Sequence, residues 1–180
     1  MKTGKAMVMV QRLSSADLAL SASINKACHY HFIKQFFSVV SRLGNGVFWY
    51  ALIIILAIYY GERGLIASAH MFIVGIVALL VYKLIKRITA RLRPYESNAD
   101  IMQGTMALDC YSFPSGHTLH AVSFTIVALH YFPHLFIILS GFTLLVAFSR
   151  VILGLHYPTD VIAGAVVGYL IAQIATHIPV

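Results

Sequence analysis

From Cys110 to Ser149 the chain runs for forty residues without one Lys, Arg, Asp or Glu. Three further stretches share this property: Leu43–Gly61, Gly64–Tyr82 and Val161–Val180. A helix needs about 20 apolar residues to cross a hydrocarbon core of about 30 Å, and each of the three shorter stretches is close to that length. The forty-residue stretch is twice as long, and Pro133 interrupts it within Tyr131-Phe132-Pro133-His134. It reads as two spans, Thr118–Tyr131 and Leu135–Ser149, joined by a tight proline turn. Composition points the same way. Apolar residues make up 59% and charged residues 11% of the chain, against roughly 45–50% and about 25% in soluble domains.

Five spans are clear, and Ala16–Arg42 is the open segment. Its apolar residues recur at helical spacing, but Asp17, Lys26, His29, His31 and Lys34 interrupt it. It reads either as a polar-faced sixth span or as an amphipathic helix in the interface. We take it as the sixth span, with Ser14-Ser15-Ala16-Asp17 as its N-cap and Gly44-Asn45-Gly46 as the turn after it. Gly61-Glu62-Arg63-Gly64 is the next expected turn. The fold class is therefore all-α: an integral membrane helix bundle of about six transmembrane helices, in a single domain over residues 1–180. The one long polar connection is Thr89–Phe113, and loops of that length in a compact domain are usually functional or disordered.

The net charge of +7 does not describe a nucleic-acid surface. Six of the thirteen basic residues, Lys83, Lys86, Arg87, Arg91, Arg93 and Arg150, gather beside polar motifs at span ends. Cys28 and Cys110 form no metal-ligand spacing and no disulfide framework, and they read as small apolar fillers. Lys2, Lys5 and Arg12 precede no compact apolar run with a small-residue cleavage site, so a removable signal peptide is not expected.

Following the chain back and forth across the membrane brings three polar patches to one face. The Gly64–Tyr82 span exits at Lys83–Pro94, and the chain re-enters after Pro114-Ser115-Gly116-His117. It returns at Ser149-Arg150 and departs again after His156 and Asp160. Such a face can serve a phosphate ester. Arg binds phosphate oxygens as a planar fork, and Lys86, Arg93 and Arg150 supply three cations. Ser115 adds a hydroxyl, and Gly116 lets a backbone N–H approach. His117 and His156 can divide nucleophile and acid roles near neutral pH. Asp160 lies one helical turn beyond His156 and can accept one ring N–H.

Each patch alone has a plainer explanation. Arg-Pro can be an interfacial anchor, Pro-Ser-Gly a turn, and Pro158 a first-turn helix residue. His117 and His120 lack the intervening acid of zinc proteases, so no metal is expected. His29, His31, His70, His130, His134 and His177 read as interfacial or packing residues, and the span-end aromatics as a belt. A channel or transporter would instead place ionisable residues along the helix axes, whereas Gly64–Tyr82 contains only His70. Polar groups clustered on one face beside a membrane core are costly without a task.

With these residues in view, a family resemblance is clear. Lys86, six residues, then Arg93-Pro94 resembles the first motif of the type-2 phosphatidic acid phosphatase superfamily. Pro114-Ser115-Gly116-His117 resembles the second. Ser149-Arg150, five residues, His156, three residues, Asp160 resembles the third. The motif-bearing loop is 86–117, and the third motif is 149–160. The resemblance implies a membrane lipid phosphatase that works through a phosphohistidine, with no cofactor or metal. His156 would be the nucleophile, His117 the acid for the leaving oxygen, and Asp160 the support for His156. Lys86, Arg93, Ser115, Gly116 and Arg150 would hold phosphoryl oxygens. The implied partners are membrane lipids and a lipid phosphate or pyrophosphate substrate, such as undecaprenyl pyrophosphate or phosphatidylglycerophosphate, with no nucleic acid. A related possibility is a phosphotransferase that delivers the phosphoryl group to an acceptor lipid. The family's bacterial members imply an inner-membrane location with the site on the periplasmic face.

Overall fold

The computed structural model describes residues 2–178, with side chains from residue 13 onward. Residues 179–180 of the expected last span, and the side chains of Lys2, Lys5 and Arg12, lie outside the described residues. No β-strand occurs among the described residues. Helix α1 covers Lys2–Asn25, and a 3-10 turn at Lys26–His29 leads to α2, His31–Arg42. A wide π-type segment, Leu43–Val47, joins α2 to α3, Phe48–Tyr59. Then come α4, Gly61–Thr89, and the single-turn α5, Pro94–Ser97. Helix α6 is Gly116–Tyr131, α7 is Phe136–Ile152 and α8 is Pro158–Thr176.

Among the described residues, four helical runs are long and apolar enough to cross a membrane: His31–Tyr59, Gly61–Ser97, Pro133–Ile152 and Pro158–Thr176. Their outward faces carry exposed Ile58, Leu80, Ile137, Leu144 and Ile174, as a lipid-facing surface requires. Helix α6 has only 16 residues, about 24 Å of helix. It sits at the centre of the bundle, packed by α4, α7 and α8, where protein rather than lipid surrounds it. Polar groups are tolerated there because they pair with each other. Thr125 and Thr143 hydroxyls lie 2.7 Å apart, and the Ser123 hydroxyl donates to the Gly168 carbonyl at 3.0 Å.

Small residues set the closest helix contact. Gly164, Gly168 and Ala172 form a buried stripe on α8 at four-residue spacing, the arrangement that lets membrane helices approach backbone to backbone. A Cβ at Gly164 would stand 2.5 Å from the Ser115 carbonyl oxygen. This approach brings the start of α6 against the start of α8, where the Ser115 N–H donates to the Asp160 carbonyl at 3.0 Å.

Three expected boundaries are corrected. Ser14 and Ser15 lie inside α1 rather than at its start. Ala16–Arg42 is not one helix: it breaks at the 3-10 turn and at Tyr30, whose ψ of 116° is extended. Gly44-Asn45-Gly46 does not reverse the chain, and Gly46, with φ 129°, kinks a helix that continues. The next reversal is tighter than expected. It falls at Tyr60–Gly61, with Gly61 at φ 56°, and Glu62–Gly64 already belong to α4. At its other end α4 runs past Tyr82 to Thr89, so Lys83, Lys86 and Arg87 ride on its last turns. Cations are favourable there against the negative end of the helix dipole.

Candidate active site

A cavity of about 400 Å³ opens at the motif-bearing end of the bundle. Lys86, Arg93, Gly116, His117, Arg150 and His156 all line it, so six of the eight residues singled out above converge on one space. Ser115 and Asp160 are buried beside it but do not line it. The Ser115 hydroxyl sits at the N-cap of α6, 3.0 Å from the Thr118 hydroxyl and 3.4 Å from the Thr118 N–H. The cap satisfies a helix terminus and starts α6 so that Gly116 and His117 face the cavity.

Folding of the 153–157 segment presents His156. Gly154 turns the chain at φ 71°, Leu153 and Leu155 pack with Cys28, and the His156 N–H donates to the Arg150 carbonyl at 3.0 Å. Its Nε2 lies 3.4 Å from an Arg93 guanidinium nitrogen. Its Nδ1 is 3.7 Å from Asp160 Oδ2, within ion-pair range and longer than a hydrogen bond. Burial, then the Arg150 and Arg93 charges, pushes the imidazole pKa well below its ordinary value. A neutral ring, able to act as a nucleophile at neutral pH, follows.

Asp160 is held from two sides. It accepts the Tyr157 N–H at 2.8 Å, capping its own helix, and pairs with Arg91 at 2.6 Å. Arg91 also reaches Asp17 at 2.7 Å and stacks over the Tyr157 ring at 3.8 Å. Asp17 in turn accepts hydrogen bonds from the Thr159 hydroxyl and N–H. The carboxylate beside His156 is thus fixed by a network rather than by His156 itself.

Sequence reasoning missed Asn45, Asn25 and Asp109 as well as this use of Arg91 and Asp17. The kink at Gly46 sets Asn45 Oδ1 against His117 Nε2, which donates to it. The flanking glycines had suggested only a turn. Asn25 clamps the loop beneath the site, donating to the Met102 and Ile152 carbonyls at 2.9 and 2.8 Å and accepting from the Met102 N–H at 2.7 Å. Asp109 pairs with both Lys86 and Arg93, at 2.6 and 2.7 Å. Its signal was available, since it is the sole acid between Asp100 and Asp160.

The arrangement can bind an anion through three cations, attack it with a neutral imidazole, and offer a second histidine to a leaving group. The PAP2 superfamily model matches residues 63–180. The chain belongs to the PAP2 superfamily. It is 30% identical to an undecaprenyl-diphosphatase from Sulfolobus acidocaldarius, over 77% of this chain and 67% of that protein. It is 28% identical to phosphatidylglycerophosphatase B from Bacillus subtilis, over 92% of this chain and 84% of that protein. Its fold is similar to the crystal structure of Aquifex aeolicus LpxE, with a TM-score of 0.78 and 27% identity, covering 89% of this chain and 94% of that one. This PAP2 chain is a membrane phosphatase.

Proposed function

We propose that this PAP2 phosphatase removes a terminal phosphoryl group from a lipid phosphate or lipid diphosphate whose tail stays in the bilayer. The observation that carries this reading is the two-sided character of the cavity. One end holds Lys86, Arg93 and Arg150 with both histidines; the other continues along apolar Ile53, Phe72, Ile76 and Leu79 of α3 and α4. A charged headgroup fits the first end and a hydrocarbon tail the second.

In this reading the neutral His156 attacks phosphorus and the bond to the leaving oxygen breaks. His117 donates a proton to that oxygen, and Asn45 holds the ring in place. The lipid product departs as an alcohol, or as a monophosphate when the substrate is a diphosphate. Water then attacks the phosphohistidine, gives a proton to His117 and releases inorganic phosphate. Lys86, Arg93, Arg150 and the Gly116 backbone stabilise the phosphoryl oxygens, while Ser115 and Asp160 fix the elements that present them. Positive charge comes from side chains, so the reaction needs no metal.

The proposed setting is the bacterial inner membrane, with the cavity at the periplasmic face. A plain count of basic residues would put this face inside. However, Lys86, Arg91 and Arg93 are held in ion pairs, so their positions answer to the site rather than to topology.

A phosphate-release screen of the purified protein tests the reading. Lipid monophosphates and diphosphates should release inorganic phosphate, and exhaustive chelation should leave the rate unchanged. Hydrolysis confined to water-soluble esters, or activity lost on chelation, would contradict it.

A further inference from the structure

We propose that Asp109 is a resident stand-in for the substrate phosphate, and that its loop closes the site until a lipid phosphate displaces it. The inference rests on reading Lys86 and Arg93 as phosphate-holding groups. One carboxylate oxygen, Asp109 Oδ1, receives both cations, Lys86 Nζ at 2.6 Å and an Arg93 guanidinium nitrogen at 2.7 Å. Arg93 Nε also donates to the Asp109 carbonyl at 3.1 Å. An oxygen bridging two cationic donors at these lengths occupies the place a phosphoryl oxygen would take on the same donors.

Charge favours exchange, because Lys83, Lys86, Arg93 and Arg150 line the cavity against the single carboxylate of Asp109, and a phosphate monoester dianion answers more of that positive charge than a carboxylate does. Arg150 is buried, and its Nε has no hydrogen-bond partner among the described residues. A phosphate dianion has enough oxygens to engage Lys86, Arg93 and Arg150 together, whereas the Asp109 carboxylate engages two. Burial works to raise the Asp109 pKa, but Lys86 and Arg93 outweigh it and hold the group below the ordinary carboxylate value. It therefore competes as an anion.

The loop is built to let go. The Gly104 N–H to the Leu153 carbonyl and the Ser112 N–H to the Arg91 carbonyl pin its two ends, at 2.9 and 2.8 Å. Between those pins, residues 105–111 make no backbone-to-backbone hydrogen bond among the described residues. The Asp109 side chain is 38% exposed, against 1% for Arg93, so water is at hand to receive the carboxylate. Met106 and Leu108 are exposed apolar residues of the same loop, and Leu108 lines the cavity. An arriving lipid would meet them first.

Inorganic phosphate is the probe, tested as a competitive inhibitor of the full chain and of Asp109→Asn, which keeps an acceptor oxygen without the charge. If the loop is closed about nine-tenths of the time, removing the competitor should tighten phosphate binding about tenfold and lower KM in step. A fluorophore on Cys110, the exposed cysteine of the two, provides a second readout in the otherwise unaltered chain. Its signal should change saturably over the phosphate concentrations that inhibit. Weaker phosphate inhibition of Asp109→Asn, with a raised KM, would overturn the proposal and make Asp109 a positioning residue for the cations. Inhibition of the labelled chain without a Cys110 signal would also overturn it, while leaving the phosphate site intact. Phosphate that inhibits neither protein would remove the phosphate-site reading, and the latch with it.

Discussion

At the level of single residues, the proposed chemistry depends on one histidine kept neutral among guanidinium groups. His156 is buried, with an Arg93 guanidinium nitrogen 3.4 Å from its Nε2 and its backbone N–H donating to the Arg150 carbonyl. Protonating it means adding a cation to a buried cationic pocket, so its pKa falls well below the ordinary imidazole value. A group with a lowered pKa stays deprotonated until the pH drops through that lowered value. The acid limb of kcat/KM should therefore lie below pH ~6.5, the unperturbed histidine value. In Arg150→Gln it should move upward, because one of the charges opposing protonation is gone. A pH–rate profile of both proteins checks this, and a limb that stays in place or moves down would refute the electrostatic account. The motif residues that line the cavity were legible in the chain because their spacing is local. Asn45 and Asp17 were not, since each acquires its partner 72 or more residues away through folding alone.

At the level of helices, the site depends on how α6 and α8 begin. Ser115 caps α6, Asp160 caps α8, and the two starts touch through the Ser115 N–H and the Asp160 carbonyl. Gly164 permits that contact, as its hydrogen faces the Ser115 carbonyl where a methyl group would collide. Gly164→Ala should therefore cost about 1–3 kcal/mol and reduce kcat along with stability, because the displaced elements carry His117 and Asp160. Gly141→Ala is the control: in α7 an added Cβ meets nothing within 4 Å, so stability should hold or rise slightly. Thermal unfolding in detergent with parallel activity measurements distinguishes the two. Equal effects would argue against close α6–α8 packing as the determinant. The charge-free stretches located α3, α4, α6, α7 and α8 in the sequence because lipid forbids ionised groups on its side of a helix. They misplaced the ends, since Lys83, Lys86 and Arg87 are accepted on the last turns of α4 where the membrane face begins. The Gly-Asn-Gly kink was also hidden, because the same residues serve a turn or a bend.

At the level of the whole molecule, the bundle sorts polarity along its length. Cations, two histidines and their carboxylate partners gather at one end; Tyr60, His70, Tyr131 and His134 pair among themselves at the other. Parity of the spans put the three motifs on one face in advance of any coordinates, because an even number of crossings separates each motif from the next. Orientation in the membrane follows from no such count. Cys110, exposed beside the site, reports it directly: an impermeant thiol reagent should label it in intact cells, and labelling only after lysis would place the site inside. The central claim is that His156 carries the phosphoryl group during turnover. Rapid acid-free quenching of the purified phosphatase with a lipid substrate labelled in its terminal phosphoryl group tests it most directly. The account predicts an acid-labile label on the peptide containing His156, formed before free phosphate appears and missing in His156→Ala, which should be inactive yet folded. Phosphate release without that label, or sustained turnover by His156→Ala, would contradict it.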